Sequence, residues 1–139
     1  MEKTLCFLID GRTLYLEHVL IDYEHIPVYF LCKDEKEQYY VCLCTDIQEL
    51  SYIVVSATSI DVYMLLNGSL TMRAIIEQQA NFWQIISGYE VSEDIVALKP
   101  INQLDTSSLP EVGAYFSVLT KETEEYVAKF NHETKGDAN

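Results

Sequence analysis

Basic residues are what this chain has least of. Against 22 Asp and Glu it carries nine Lys and Arg, for a formal net charge of −13 in 139 residues. Between Lys36 and Lys99 the one base is Arg73. Nucleic-acid binding needs cations to neutralise phosphates, so direct binding of DNA or RNA is not expected. No stretch approaches the roughly 20 apolar residues of a membrane span. The opening "MEKTLCFLIDGR" has an apolar run only from Leu5 to Ile9, flanked by acids. A signal peptide needs a longer run behind bases. The expectation is a cytoplasmic protein with no membrane partner. The cysteines, Cys6, Cys32, Cys42 and Cys44, form no CxxC pair and no regular disulfide spacing, and are expected to be reduced. Nucleophile elbow, Gly-rich phosphate loop, HExxH and paired-acid motifs are missing. No catalytic residue, metal or cofactor is therefore assigned. Internal repeats and low-complexity linkers are missing too.

What remains is a folded composition, 49% apolar and 22% charged. The length suits one domain with its own core. The expected organisation is a single α+β domain over 1–131 and a polar, disordered tail over 132–139.

The first half reads as strands. Leu14 to Asp22 is one candidate, broken by "YEHIP". Val28 to Cys32 and Tyr39 to Cys44 flank "KDEKEQ", a polar loop, and predict a hairpin. If Lys33 faces Tyr39, then Cys32 faces Tyr40, Phe30 faces Cys42 and Val28 faces Cys44, all on one face. The other face carries Tyr29, Leu31, Tyr39, Val41 and Leu43. Both faces are apolar or aromatic, so this hairpin should be covered on both sides. Tyr52 to Ala57, "YIVVSA", is another strand.

Helical signals follow. Thr58 or Ser59 is a good N-cap, and Asp61 suits the dipole of the first turn. Val62, Leu65 and Leu66 have helical spacing, and Asn67-Gly68 is a left-handed stop. Ser69 or Thr71 can cap a second short helix to about Gln79, burying Leu70, Ala74 and Ile75. Strands are then expected at Asn81 to Ile86, at Val96 to Pro100 and at the end of "LPEVGAYF". Thr120 caps a last helix with an apolar face of Tyr126, Val127 and Phe130. The predicted fold is a mostly antiparallel, curved sheet covered by the 58–79 helical pair and the C-terminal helix.

"LLNGSLTMRAII" has the outline of a DNA-binding helix-turn-helix. A recognition helix needs base-reading side chains and basic phosphate contacts. Here Arg73, Gln78 and Gln79 stand beside Glu77 in an acidic chain, so a helical pair packed on a sheet is the expectation. A cation early in a helix opposes the macrodipole by roughly 0.3–1 kcal/mol and needs a compensating partner. Glu77 at i+4 is in the weaker, arginine-first order. A buried bidentate pair of Arg73 with Asp61 or another carboxylate is the preferred assignment, and an anchor for a partner's carboxylate or an acidic ligand is the functional alternative.

"YIVVSATSIDVYMLLNGSLTMRAIIEQQANFWQII" resembles an uncharacterised bacterial family. Its members carry a valine-rich strand, a helix ending Leu-Leu-x-Gly, an apolar-x-apolar-Arg turn, a short helix and a strand. Here those positions are Val55, Thr58, Leu65, Leu66, Gly68, Leu70, Met72, Arg73, Ile75 and Ile76. "DYEHIPVYFLC" and "LPEVGAYF" look similar to the family as well. Where the family has a proline in the first strand, this chain has Ser56. The resemblance implies a fold and no activity.

Three sets of residues could carry function. Cys32, Cys42 and Cys44 could share a sheet face and, with His18 or His25, hold zinc, and any cysteine with His18 or His25 could form a catalytic Cys–His pair. Two-residue strand spacing and the burial habit of free cysteine favour core packing instead. The acids cluster as Glu17/Asp22/Glu24, Asp34/Glu35/Glu37, Glu90/Glu93/Asp94 and Glu122/Glu124/Glu125. Solvated surface is the plain reading of each, and a nucleic-acid mimic would need the same spread. Ten tyrosines, among them Tyr23, Tyr29, Tyr39 and Tyr89, exceed what so small an interior holds, and tyrosine favours interfaces. The reading is a non-enzymatic, acidic protein-binding module of bacterial or phage origin, an inhibitor or regulator in host–phage conflict. Its partner is another protein, such as a basic nucleic-acid-binding protein, or a second copy in a homodimer. The assigned partner surface is Tyr23, Tyr29, Tyr39, Asp34, Glu35 and Glu37. Two alternatives stay open, a small enzyme with a cysteine or acid–histidine site and a self-assembling structural subunit.

Overall fold

The computed structural model describes residues 4–88, 90 and 93–137, with side chains through Glu133. Seven strands form one antiparallel sheet in chain order. They are β1 (Leu5–Ile9), β2 (Arg12–Tyr23), β3 (Ile26–Lys33), β4 (Tyr39–Asp46), β5 (Ser51–Ala57), β6 (Asn81–Ile86) and β7 (Ile95–Pro100). Between β5 and β6 lie α1 (Ser59–Leu66) and α2 (Ala74–Glu77), and α3 (Lys121–Asp137) closes the chain. The fold is α+β, as the hydrophobic periods predict.

The β3–β4 register follows the predicted pattern: Lys33 faces Tyr39, Cys32 faces Tyr40 and Phe30 faces Cys42. Both faces of this hairpin are buried, for different reasons. Tyr29, Leu31, Val41 and Leu43 join Val62, Leu65, Ile75, Ile76 and Phe130 in a core between sheet and helices. Phe30, Cys32, Tyr40 and Cys42 join Phe7, Ile9 and Leu14 of the first hairpin with Val54, Trp83 and Ile85. The sheet therefore curls into a half-barrel whose two ends share a second core. The β2–β3 register shifts between Leu16 and His18 and again between Val19 and Ile21, and such bulges bend and twist a strand.

Thr58 caps α1 through a capping box with Asp61, and Gly68 (φ 76°) follows its end. The α1–α2 pair packs Val62, Leu65, Leu66, Ile75 and Ile76 onto the sheet, the arrangement expected in place of a helix-turn-helix. Two expectations are corrected. "LPEVGAYF" makes no strand: a backbone bond from Met72 N–H to Ala114 C=O and burial of Phe116 hold it instead. The backbone past His132 is helical to Asp137, where Glu and Lys are good helix formers, and not a disordered tail; residues 138–139 lie outside the described residues.

Candidate functional site

A groove runs along β2, between its helix-side face and the first turn of α3. Leu16 to Leu20, Asp22, Thr120, Glu122 and Thr123 line about 320 Å³ of it. A second hollow of about 250 Å³ shares Leu16 and Glu17 and extends to Lys33, Asp34 and Glu37. Leu16 and Glu17 are thus the wall common to both, Glu17 its one charged member.

Three contacts fix this groove. His18 Nε2 and Thr123 Oγ1 share a 2.8 Å hydrogen bond. The His18 ring stacks on Tyr126 with centroids 4.4 Å apart. The Tyr126 hydroxyl donates to Glu17 Oε2 at 3.0 Å. Thr123 is buried, its N–H donates to Thr120 Oγ1 and its own Oγ1 accepts from the Thr120 hydroxyl. The Thr123 hydroxyl therefore pins α3 to β2 and is no accessible nucleophile. Burial lowers the His18 pKa against the opposing pull of Glu17 and Glu122, so the ring adds no positive charge at neutral pH. Burial and the Glu17 carboxylate raise Tyr126 well above the ordinary phenol. Lys33 lies 3.7 Å from Glu17 and 4.8 Å from the Tyr39 ring centre. Burial alone would lower its pKa, but Glu17, Tyr39 and Glu37 outweigh it and raise it. The groove thus presents Asp22, Glu122 and Glu37 around one lysine that Glu17 and Tyr39 already engage. Its chemistry suits a cation.

The predicted partner surface divides. Tyr23 is 57% exposed, at the end of β2. Tyr29 is core, donating its hydroxyl to the Met72 carbonyl at 2.9 Å, because the helical pair covers that face. Tyr39 is half-buried against Phe130. Asp34 is buried and takes hydrogen bonds from the Lys36 and Gln38 amides and the Tyr40 hydroxyl. It builds the hairpin turn and reaches the second hollow with only 5% of its surface exposed. Burial pushes its pKa up, yet these donors prevail and hold it low. Glu35 and Glu37 are exposed on the hairpin loop. Tyr89 lies outside the described residues.

The predicted Arg73–Asp61 pair is not formed. Arg73 Nε bonds Glu77 Oε1 at 2.9 Å, and its Nη1 stands 3.5 Å from the Pro110 carbonyl. Asp61 is committed elsewhere, to the Thr58 amide and the Gln78 side chain. Arg73 thus ties α2 to the segment after Leu109.

The cysteines are free. Cys32 and Cys42 sulfurs lie 3.7 Å apart in the inner core. His18 is on the opposite, helix-facing side, and His25 sits in an exposed turn. Among the described residues, no group of three or more His, Cys, Asp or Glu could hold a metal ion. No helix among the described residues is long and apolar enough to cross a membrane.

Reading along the chain missed the groove's own residues, Thr123 and Tyr126, as partners of His18. They lie 105 and more residues away in sequence, and only the α3 cap at Thr120 hinted at them. Comparisons with family models, curated proteins and solved structures return no match.

Proposed function

We propose that this chain is a non-enzymatic binding module that takes a basic segment of another protein into the groove beside β2. One observation carries the reading: two hollows meet at Glu17, with Asp22, Glu122 and Glu37 around them and Lys33 as the one cation in their linings. With a net charge of −13, the rest of the surface adds long-range attraction for a basic partner and speeds encounter. In its narrowest form the partner is a nucleic-acid-binding protein of the bacterial or phage cell. The chain then inhibits it by competing with phosphate for its basic surface.

The test is binding of a labelled arginine-rich peptide, followed by fluorescence anisotropy. Asp22→Asn, Glu37→Gln and Glu122→Gln together should weaken binding about tenfold, roughly 1.4 kcal/mol. A control removing equal charge elsewhere, Glu49→Gln with Glu90→Gln and Glu111→Gln, should cost less than about twofold. Equal losses in the two variants would mean diffuse attraction and no groove site.

A further inference from the structure

We propose that β7 is a self-association edge, along which a second copy of this chain pairs antiparallel and joins two seven-stranded sheets into one. The two ends of the sheet differ. β1, at one end, is irregular, with a register shift between Leu5 and Phe7, and a bulge on an edge strand discourages further pairing. β7, at the other end, is regular: six consecutive residues, Ile95 to Pro100, pair with β6 without a shift. Among the described residues no strand pairs with its outer side. Ile95 is 65% exposed and Leu98 55%. An inward or flanking lysine commonly protects such an edge. Here Lys99 Nζ is drawn back onto the sheet by Gln84 Oε1 at 2.6 Å.

Charge selects the occupant. Two copies at −13 each repel over most approaches. The strands β5, β6 and β7 contain no Asp or Glu and one Lys. Glu93 and Asp94 stand just before Ile95, and from Ile95 to Pro100 no carboxylate opposes a second copy. A strand pairing antiparallel with its own copy closes by two-fold symmetry, and puts Val96 and Leu98 of both copies on one face of the joined sheet. A basic foreign strand has no carboxylate to meet on these strands.

Light-scattering mass measured over a range of concentrations tests this. The full chain should rise from 16.0 kDa toward twice that mass. Raising salt to about 0.5 M should strengthen the dimer by screening its repulsion. Salt acts in the opposite sense on the groove, so failure of one reading leaves the other standing. Ile95→Lys with Leu98→Lys, checked for folding by circular dichroism, should hold the mass at 16.0 kDa. Should that variant not fold, hydrogen exchange on the wild type decides, since β7 amides should gain protection as concentration rises. Four results would overturn the proposal: a monomer throughout, a dimer undiminished in the folded variant, β7 exchange independent of concentration, or open-ended assemblies larger than two.

Discussion

The Trp83 indole donates to Asp10 Oδ2 at 3.1 Å across 73 residues of sequence. It joins the turn of the first hairpin to the sixth strand, where the curled sheet meets itself. The Arg12 guanidinium lies 5.7 Å from the Trp83 ring centre and donates to the Tyr40 hydroxyl, which donates to Asp34. A polar chain thus follows one lip of the half-barrel above its inner core.

Removing Asp10 should loosen that seam. A hydrogen bond to a charged group contributes about 1.5–3 kcal/mol, so Asp10→Ala should lower unfolding stability by up to that amount in urea titrations. Trp83 is the one tryptophan, and its emission should shift to the red as its indole gains water. An unchanged spectrum and midpoint would mean the seam closes without this bond.

Acid should weaken the α3 attachment through His18. Burial lowers its pKa below the ordinary 6.5, while Glu17 and Glu122 pull the other way. The unfolded chain therefore takes up a proton before the folded one as pH falls. Stability is full above about 6.5 and declines below it until the folded ring also titrates. His18→Gln should remove this component, so urea midpoints at pH 7.5 and 5 should differ less in the variant than in the wild type. Parallel profiles would show that the ring is not held neutral.

The turn between β2 and β3 is strained. Glu24 and His25 both have positive φ, 49° and 69°, in a two-residue connection from Tyr23 to Ile26. Such turns favour Asn-Gly, and left-handed backbone costs ordinary residues about 1 kcal/mol or more each. Glu24→Asn with His25→Gly should raise stability by about 1 kcal/mol, read as a higher thermal midpoint. A lower midpoint would place unseen contacts on these side chains.

These features mark where sequence was legible. The β3–β4 hairpin was legible because two apolar strands flank a polar loop, and the loop sets the register once Lys33 is placed opposite Tyr39. The Thr58 cap was legible because capping is local. β1 was not recognised, although Asp10-Gly11 is a strong two-residue hairpin signal and both residues have positive φ. Its five residues, Leu5 to Ile9, are apolar throughout and show no alternation to mark a strand. Asp34 looked like one of three surface acids, since charge runs do not reveal which carboxylate turns inward to hold amides. The groove was the least legible, because His18, Thr123 and Tyr126 meet only after the sheet curls and α3 returns across it.

Arg73 offers the sharpest separation of sequence from structure. Its side chain is 18% exposed and that of Glu77 44%, so their bond sits at a partly solvated surface. Pairs of this kind couple by about 0.2–1 kcal/mol. A double-mutant cycle between Arg73→Met and Glu77→Gln should give a coupling in that range. The cycle between Arg73→Met and Asp61→Asn should give none beyond about 0.3 kcal/mol, because Asp61 is spent on the α1 cap. Asp61→Asn alone should still destabilise, through the lost capping contact, by about 0.5–1 kcal/mol. A strong Arg73–Asp61 coupling would show that the guanidinium reaches α1 in solution and would restore the pairing that the sequence predicts.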